Sequence, residues 1–238
     1  MKLLVRAYML IIFFVISDVA FSMPVSTVYR ADSREPGDVF VKGFSAWGLN
    51  MNFNSHILGV SGRRGTRDSA FIPTTSSQNA ANRFATDLLN VSSEGLAYVY
   101  NIRPVTNFYS ALDTIYHIYD SAGVRVPDTL RATLASEQEY SAYQHIPTEL
   151  IRSVTIYSRA ENGSISTRVE NNPNYIQSDS HSNENPFTSG EQEPNVRPVL
   201  VMGMAMTNIN NEMPGTSATL PSPSFSQPAL SFLLDHEL

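Results

Sequence analysis

No cysteine occurs in the 238 residues of this chain. Disulfides, a thiol nucleophile and a zinc–thiolate site are therefore all unavailable. Packing alone must hold the fold, and the composition permits it: 42% of residues are hydrophobic, with 12 Phe and 11 Tyr. A chain this apolar is not disordered throughout. The constraint is sharper because residues 1–22 read as a secretory signal. Lys2 and Arg6 form a short positive start, Ala7 to Ile16 is continuously apolar, and Ala20 and Ser22 are small residues at the positions a signal peptidase reads. The apolar run is shorter than the about 20 residues that span a bilayer. We expect cleavage after Ser22 and no transmembrane segment in the mature chain. Exported proteins commonly use disulfides; this one has to do without.

Length and composition divide the remainder into a folded domain over 23–160, a loop-rich extension over 161–205 and a C-terminal tail over 206–238. From about residue 160 to Pro228, Asn, Ser, Pro and Gly dominate, apart from the apolar island Val199–Met206. A net charge of −6 argues against nucleic acid as a partner. Lysine occurs only at Lys2 and Lys42; every other basic side chain is Arg, which grips phosphates and carboxylates bidentately.

Thr27–Asp32 reads as a strand. Segment 59–69 is Gly-rich, basic and aperiodic, which predicts a mobile surface loop. Phe71 to Ser76 reads as a short strand that Pro73 confines to an edge or a bulge. A helix follows, capped by Ser76 or Ser77, with Ala81, Phe84, Ala85, Leu88 and Leu89 on one apolar stripe. Leu96–Ile102 reads as a central strand, Thr129 to Ser136 as a short helix, and Glu137–Tyr143 and Ile151–Tyr157 as strands. This pattern predicts an α+β fold with many short strands and few helices.

Three clusters could carry chemistry. Glu137 and Glu139, two apart on a strand, would share a face about 6.6 Å apart at roughly 3.3 Å per residue. One carboxylate could stabilise a sugar-like cation while the other handles a proton; a solvated acidic pair is the plain alternative. Arg30, Asp32 and Arg34 open the first strand. A central strand Arg is costly unless it meets an anion or a buried carboxylate, so this cluster holds a phosphate or forms a structural ion pair. Thr74, Thr75, Ser76 and Ser77 could bond a ligand or simply cap the helix. The five His (His56, His117, His145, His181, His236) are scattered, with no metal-binding spacing. Gly-x-Ser-x-Gly, Walker and Gly-x-Gly-x-x-Gly patterns are absent, which excludes the common serine hydrolases, P-loop NTPases and Rossmann dehydrogenases.

The order of these clusters, with their context, carries a resemblance. Val28–Pro36, Asp38–Phe40, Gly43–Gly48, Ser69–Ser77, Asn107–Tyr109, Glu139-Tyr140, Ile146–Val154 and Asn185–Ser189 resemble the pertussis toxin enzymatic subunit over roughly 26–205. The Arg…Ser-Thr-Ser…Glu-x-Glu order is similar to that of the cholera toxin and heat-labile enterotoxin A chains. The resemblance is thus to bacterial mono-ADP-ribosyltransferase toxin A subunits.

It implies an ADP-ribosyltransferase-type fold of two short packed β-sheets. It also implies cleavage of NAD, as co-substrate and without a metal, and transfer of ADP-ribose to a host protein. The usual acceptor in this group is a heterotrimeric G-protein α subunit. By the family pattern Glu139 is the principal catalytic carboxylate, and Arg30, with Asp32 and Arg34, serves the NAD phosphates. His56 holds the ribose or its surroundings, Thr74, Thr75 and Ser76 cover the hydroxyl motif, and Trp47 binds or packs. Glu137 stands where the pertussis subunit has Gln and the enterotoxins have Glu, which implies an arginine acceptor; Cys, Asn and Lys acceptors stay open. Two departures stand out. Pro73 replaces the first Ser of the hydroxyl motif. Gly62 falls near where the pertussis subunit has a Cys, and the second Cys is missing too, so no reductive activation is expected and activity should be equal with and without dithiothreitol.

The resemblance also implies export to the periplasm and beyond, with action inside the host cell. Residues 221–238 suit a tail that docks a pentameric carbohydrate-binding B subunit, and Asp235–Leu238 suits an endoplasmic-reticulum retrieval receptor. Few lysines means few ubiquitin sites after escape from that compartment. Other readings of the same residues are an NAD glycohydrolase, motivated by Pro73, a secreted glycoside hydrolase using Glu137 and Glu139, and a non-enzymatic interaction module.

Overall fold

The computed structural model describes residues 24–62 and 65–189. The signal reading on 1–22, the island 199–206, the docking tail and the retrieval end lie outside the described residues. In chain order the elements are β1 (Val28–Asp32), α1 (Pro36–Lys42), β2 (Phe44–Ser45), α2 (Phe53–Ile57), β3 (Phe71–Thr75), α3 (Gln78–Val91) and β4 (Leu96–Ile102). Next come β5 (Phe108–Ser110), α4 (Ala111–Ser121), α5 (Asp128–Glu137), β6 (Glu139–Tyr143), β7 (His145–Ile146), a 3-10 turn (Thr148–Leu150), β8 (Ile151–Arg159) and β9 (Ile165–Asn171). The α+β expectation holds, with two sheets of unequal size: a seven-stranded one in the order β5-β6-β3-β1-β4-β8-β9, and a two-stranded one of β2 and β7. No helix among the described residues is long and apolar enough to cross a membrane.

Strand alternation sends the side chains of β1 to two different places. Ala31 joins Ala81, Ala85, Leu88, Leu89, Ala97 and Val99, the layer built by the apolar stripe of α3. Ser77 caps that helix by accepting a hydrogen bond from the Ala80 amide. Arg30 turns the other way, toward Phe44 of β2, where Tyr100, Phe108, Ile146 and Val154 form the main core. A third cluster joins α2, α4 and β3 through Phe53, Ile115, Phe71 and Phe187.

Five features differ from what the sequence predicts. First, Pro73 is neither on an edge strand nor in a bulge: β3 lies between β6 and β1, with Pro73 opposite Ser141. β1 and β3 pair at Tyr29 opposite Thr75. The Pro73 carbonyl accepts from Arg30 at 2.8 Å, so this residue turns its backbone toward β1 and its missing N–H faces the same side. Pro is tolerated inside the sheet because a guanidinium, not a strand amide, fills that place.

Second, Glu137–Tyr143 is not one strand. Helix α5 runs through Glu137, Gln138 takes a left-handed conformation (φ 49°, ψ 46°), and β6 starts at Glu139. Third, segment 59–69 is not a free surface loop over its described part. Ser61 and Ser69 are buried, and amides of Thr66, Asp68 and Ser69 bond back to Val60 and Ser61. Gly65 is needed there because a Cβ would sit 1.7 Å from the Val60 carbonyl oxygen.

Fourth, α4 was not read from the sequence, although Ala111, Thr114, Ile115, Ile118 and Tyr119 form a helical stripe behind a Ser110 cap. Its Ile, Thr and Tyr content favours strands and masks the period. Fifth, β9 lies beyond the composition change near 160, in a stretch read as loop-rich, and pairs with β8 from Ser153–Asn171 to Arg159–Ile165. Being an edge strand with mostly exposed side chains, it carries no hydrophobic alternation to read.

Candidate active site

β1 places Arg30 and Asp32 on one face, as their spacing predicts, and Asp32 is fully buried. Arg30 Nε donates to Asp32 Oδ2 at 2.9 Å. Arg34, just past the strand, donates from Nε to Oδ1 at 2.9 Å, from Nη2 to Oδ2 at 3.1 Å and from its amide to Oδ1 at 3.0 Å. One carboxylate thus holds two guanidiniums. Phe44 lies 5.3 Å from the Arg30 guanidinium carbon and 4.8 Å from that of Arg34, a cation–π arrangement that suits weakly hydrated Arg. Burial pulls the Arg34 pKa down, but the hydrogen bond and charge of Asp32 outweigh it and leave it raised. Burial, and then the Asp32 charge, push the Tyr100 hydroxyl far above its ordinary range; it keeps its proton and donates to the Arg34 carbonyl at 2.6 Å.

β3 and β6 bring in the carboxylates. Thr75 stands opposite Glu139. Glu139 is nearly buried and accepts from the Ser141 hydroxyl through Oε1. The same oxygen lies 3.2 Å from His56 Nε2, and His56 Nδ1 lies 2.8 Å from Ser69 Oγ. A carboxylate only accepts, so Nε2 carries a proton; in the neutral ring Nδ1 then accepts from the Ser69 hydroxyl. Short helix α2, capped by Asn52, aims His56 into this position.

The hydroxyl motif does something other than line a wall. Thr74 Oγ1 donates to the Tyr140 carbonyl, Thr75 Oγ1 to the Glu137 carbonyl, and Ser76 Oγ to the Gln138 carbonyl at 3.3 Å. Three consecutive side chains therefore fasten β3 to the α5–β6 junction that carries both glutamates. Glu137 ends α5, so the two carboxylates do not share a strand face. They still feel each other: burial, and then the Glu139 charge, push the Glu137 carboxyl up to about 8, with Arg83 pulling it down. Arg83, on α3, donates to the Ser136 carbonyl at 3.3 Å, one residue before Glu137.

A narrow cleft opens where these parts meet. Arg30, Arg34, Trp47, His56, Ser61 and Ser69 contribute to its lining. Trp47 is half-buried beneath the Arg67 guanidinium, 5.3 Å from its ring centre. The Ser61 hydroxyl is buried in the lining without a hydrogen-bond partner. Arg30, Arg34, Trp47 and His56 of the expected set thus share one cleft, and Glu139 joins it through His56. Thr74, Thr75, Ser76 and Glu137 are not among its lining residues. Sequence reasoning missed Ser61, Ser69, Ser141 and Arg83. Ser141 had a signal, since it is two residues from Glu139 on one strand; Ser61, Ser69 and Arg83 had none. Among the described residues no group of three or more His, Asp or Glu could hold a metal.

Known proteins resemble this chain in sequence and in fold. A family model described as pertussis toxin, subunit 1, matches residues 23–219. Pertussis toxin subunit 1 of Bordetella pertussis is 35% identical over 178 residues, 70% of this chain and 66% of that one. The homologue of Bordetella parapertussis is 35% identical over 190 residues, covering 75% and 71%. The chain thus spans about two thirds of these relatives' length. Among solved structures, EcPltA superposes with a TM-score of 0.63 at 28% identity, over 73% of this chain and 100% of that one. Full-length CARDS toxin gives 0.54 at 25% identity, over 70% and 32%. With the family match extending over most of its length, the chain belongs to the pertussis toxin subunit 1 family of ADP-ribosyltransferase toxin subunits.

Proposed function

We propose that the cleft binds NAD and that the chain transfers its ADP-ribose to a host protein, on an arginine of a heterotrimeric G-protein α subunit. The observation that carries this reading is that Arg30 and His56 line one cleft while His56 Nε2 meets Glu139 at 3.2 Å. The lining suits NAD: paired guanidiniums match a pyrophosphate, Trp47 offers a ring face, and the Ser61 hydroxyl lacks a partner. Asp32 fixes the angle of both guanidiniums, so the phosphates meet a rigid fork.

Glu139, held by Ser141 and His56, puts negative charge where the ribose becomes cationic as nicotinamide leaves, the kind of preorganised electrostatics that contributes most to catalysis. His56 orients that carboxylate, and Thr74, Thr75 and Ser76 position the strand that bears it. Glu137 takes the proton from the incoming guanidinium. The test is transfer from labelled NAD to proteins in host lysate, with nicotinamide release measured in parallel. Release without transfer would reduce the activity to NAD hydrolysis.

The raised carboxyl of Glu137 sets a pH dependence. A base must be deprotonated, so transfer should climb as pH rises toward about 8 and level off above it. Glu137→Gln should abolish that climb and cut transfer to arginine about 10²-fold, leaving nicotinamide release nearly unchanged. An unaltered profile in this variant would remove Glu137 from the transfer step. Stability runs the other way. The native carboxyl keeps a proton that the unfolded chain releases near the ordinary carboxylate range, so this group's contribution falls as pH rises from there toward 8.

The same reading places residues 221–238 in a pentameric B subunit, ending at Asp235–Leu238 for retrieval by a receptor of the endoplasmic reticulum. Removing 221–238 should abolish co-purification with the B subunit while leaving NAD cleavage intact; continued assembly would refute the docking role.

A further inference from the structure

We propose that Arg83 is an acceptor of this protein's own ADP-ribosyl transfer, a modification site built in cis beside Glu137. The inference depends on the transferase reading of the cleft and adds to it a substrate within the chain itself.

Arg83 is exposed on the second turn of α3, the helix that follows the Thr74–Ser77 motif directly. Its guanidinium reaches across to the last turn of α5 and donates to the Ser136 carbonyl at 3.3 Å. That contact parks a guanidinium one residue from the carboxylate assigned to receive the acceptor's proton, and the two groups interact electrostatically. Among the described residues no carboxylate lies within ion-pair distance of Arg83.

Several other arginines among the described residues are held elsewhere. Arg30 and Arg34 are locked onto buried Asp32, and Arg125 and Arg131 pair with Asp128. Arg67 is stacked over the Trp47 ring. A neighbouring group needs no diffusional encounter, and well-oriented intramolecular reactions gain large effective concentrations.

In the step, the bond between ribose C1″ and the nicotinamide nitrogen breaks, and nicotinamide leaves neutral with the bonding pair. A guanidino nitrogen of Arg83 then closes a bond on C1″ with its own pair. The proton it gives up passes to the Glu137 carboxylate and on to water. The products are nicotinamide, one proton and an ADP-ribosylated Arg83 that remains a cation.

The experiment uses the full chain with NAD and no host protein. Peptide mass spectrometry locates the label, and nicotinamide release is read from the same tubes. We expect one ADP-ribose on the peptide containing Arg83, at a rate per molecule that is unchanged by dilution. Arg83→Lys should lose most of the label, about tenfold or more, and keep nicotinamide release within about twofold. Release of nicotinamide with the label on another residue, with no label, or with a rate that falls on dilution would overturn this proposal and leave the transferase reading standing. No release at all would overturn both.

Discussion

Replacing Glu139 with Gln is expected to slow nicotinamide release and ADP-ribosyl transfer by about 10²–10³-fold while leaving the fold intact. The substitution nearly preserves shape. The amide oxygen can still accept from the Ser141 hydroxyl and from His56 Nε2, the two groups that hold Oε1 in the native protein. What disappears is the formal charge that the proposed reaction sets against the ribose cation, in a place so enclosed that water screens it little. Steady-state kinetics with NAD alone separates this from an effect on acceptor binding, and circular dichroism with a thermal melt checks the fold. A Glu139→Gln variant within about tenfold of native activity, folded and stable, would show that the charge is not what the cleft supplies.

Removing the Asp32 carboxylate should have the largest effect on stability. Asp32→Ala leaves the Arg30 and Arg34 guanidiniums against Phe44 with their shared acceptor gone. Breaking a buried pair by deleting one partner costs about 3–5 kcal/mol, because an uncompensated charge stays behind. Arg34 is 24% exposed and can turn toward water, which favours the lower end. Against a total stability of about 5–15 kcal/mol this is a large fraction, and a loss of about 3 kcal/mol lowers the melting temperature by roughly 6–12 °C in a protein of this size. Asp32→Asn, which keeps an acceptor oxygen, should lose less. Both variants should also weaken NAD binding, since the fork is no longer held at a fixed angle. If the Asp32→Ala variant melts within about 2 °C of native, the three side chains are not a structural unit.

Several features were legible in the residues alone. The α3 stripe and the β4 strand follow from local period and are found as expected, and of the two cap candidates Ser76 and Ser77 the structure uses Ser77. The shared face of Arg30 and Asp32 follows from the two-residue repeat of a strand, and their contact confirms it. Helix α4 was legible in principle, but its β-branched and aromatic content spoke for a strand.

The errors at Pro73 and Glu137 have a different origin. Local rules send a strand proline to an edge or a bulge. Here a guanidinium from another strand occupies the side where the missing N–H would have paired, which only the placement of β1 beside β3 could supply. Alternation from Glu137 to Tyr143 fits a strand, yet α5 continues through Glu137 and one left-handed residue, Gln138, turns the chain before β6.

The sequence by itself determined the class of fold, the identities of the charged and hydroxyl groups, and through their order the family to which the chain belongs. These are properties of short stretches, set by side-chain period and chemistry. Tertiary structure alone decided that Glu139 meets a histidine 83 positions earlier in the chain. It likewise decided that the hydroxyl motif clamps backbone instead of lining the cleft, and that Arg83 reaches the Ser136 carbonyl, one residue before Glu137. The physical reason is that such contacts depend on strand order and on how helices seat against the sheet, and those are fixed by the packing of the whole chain.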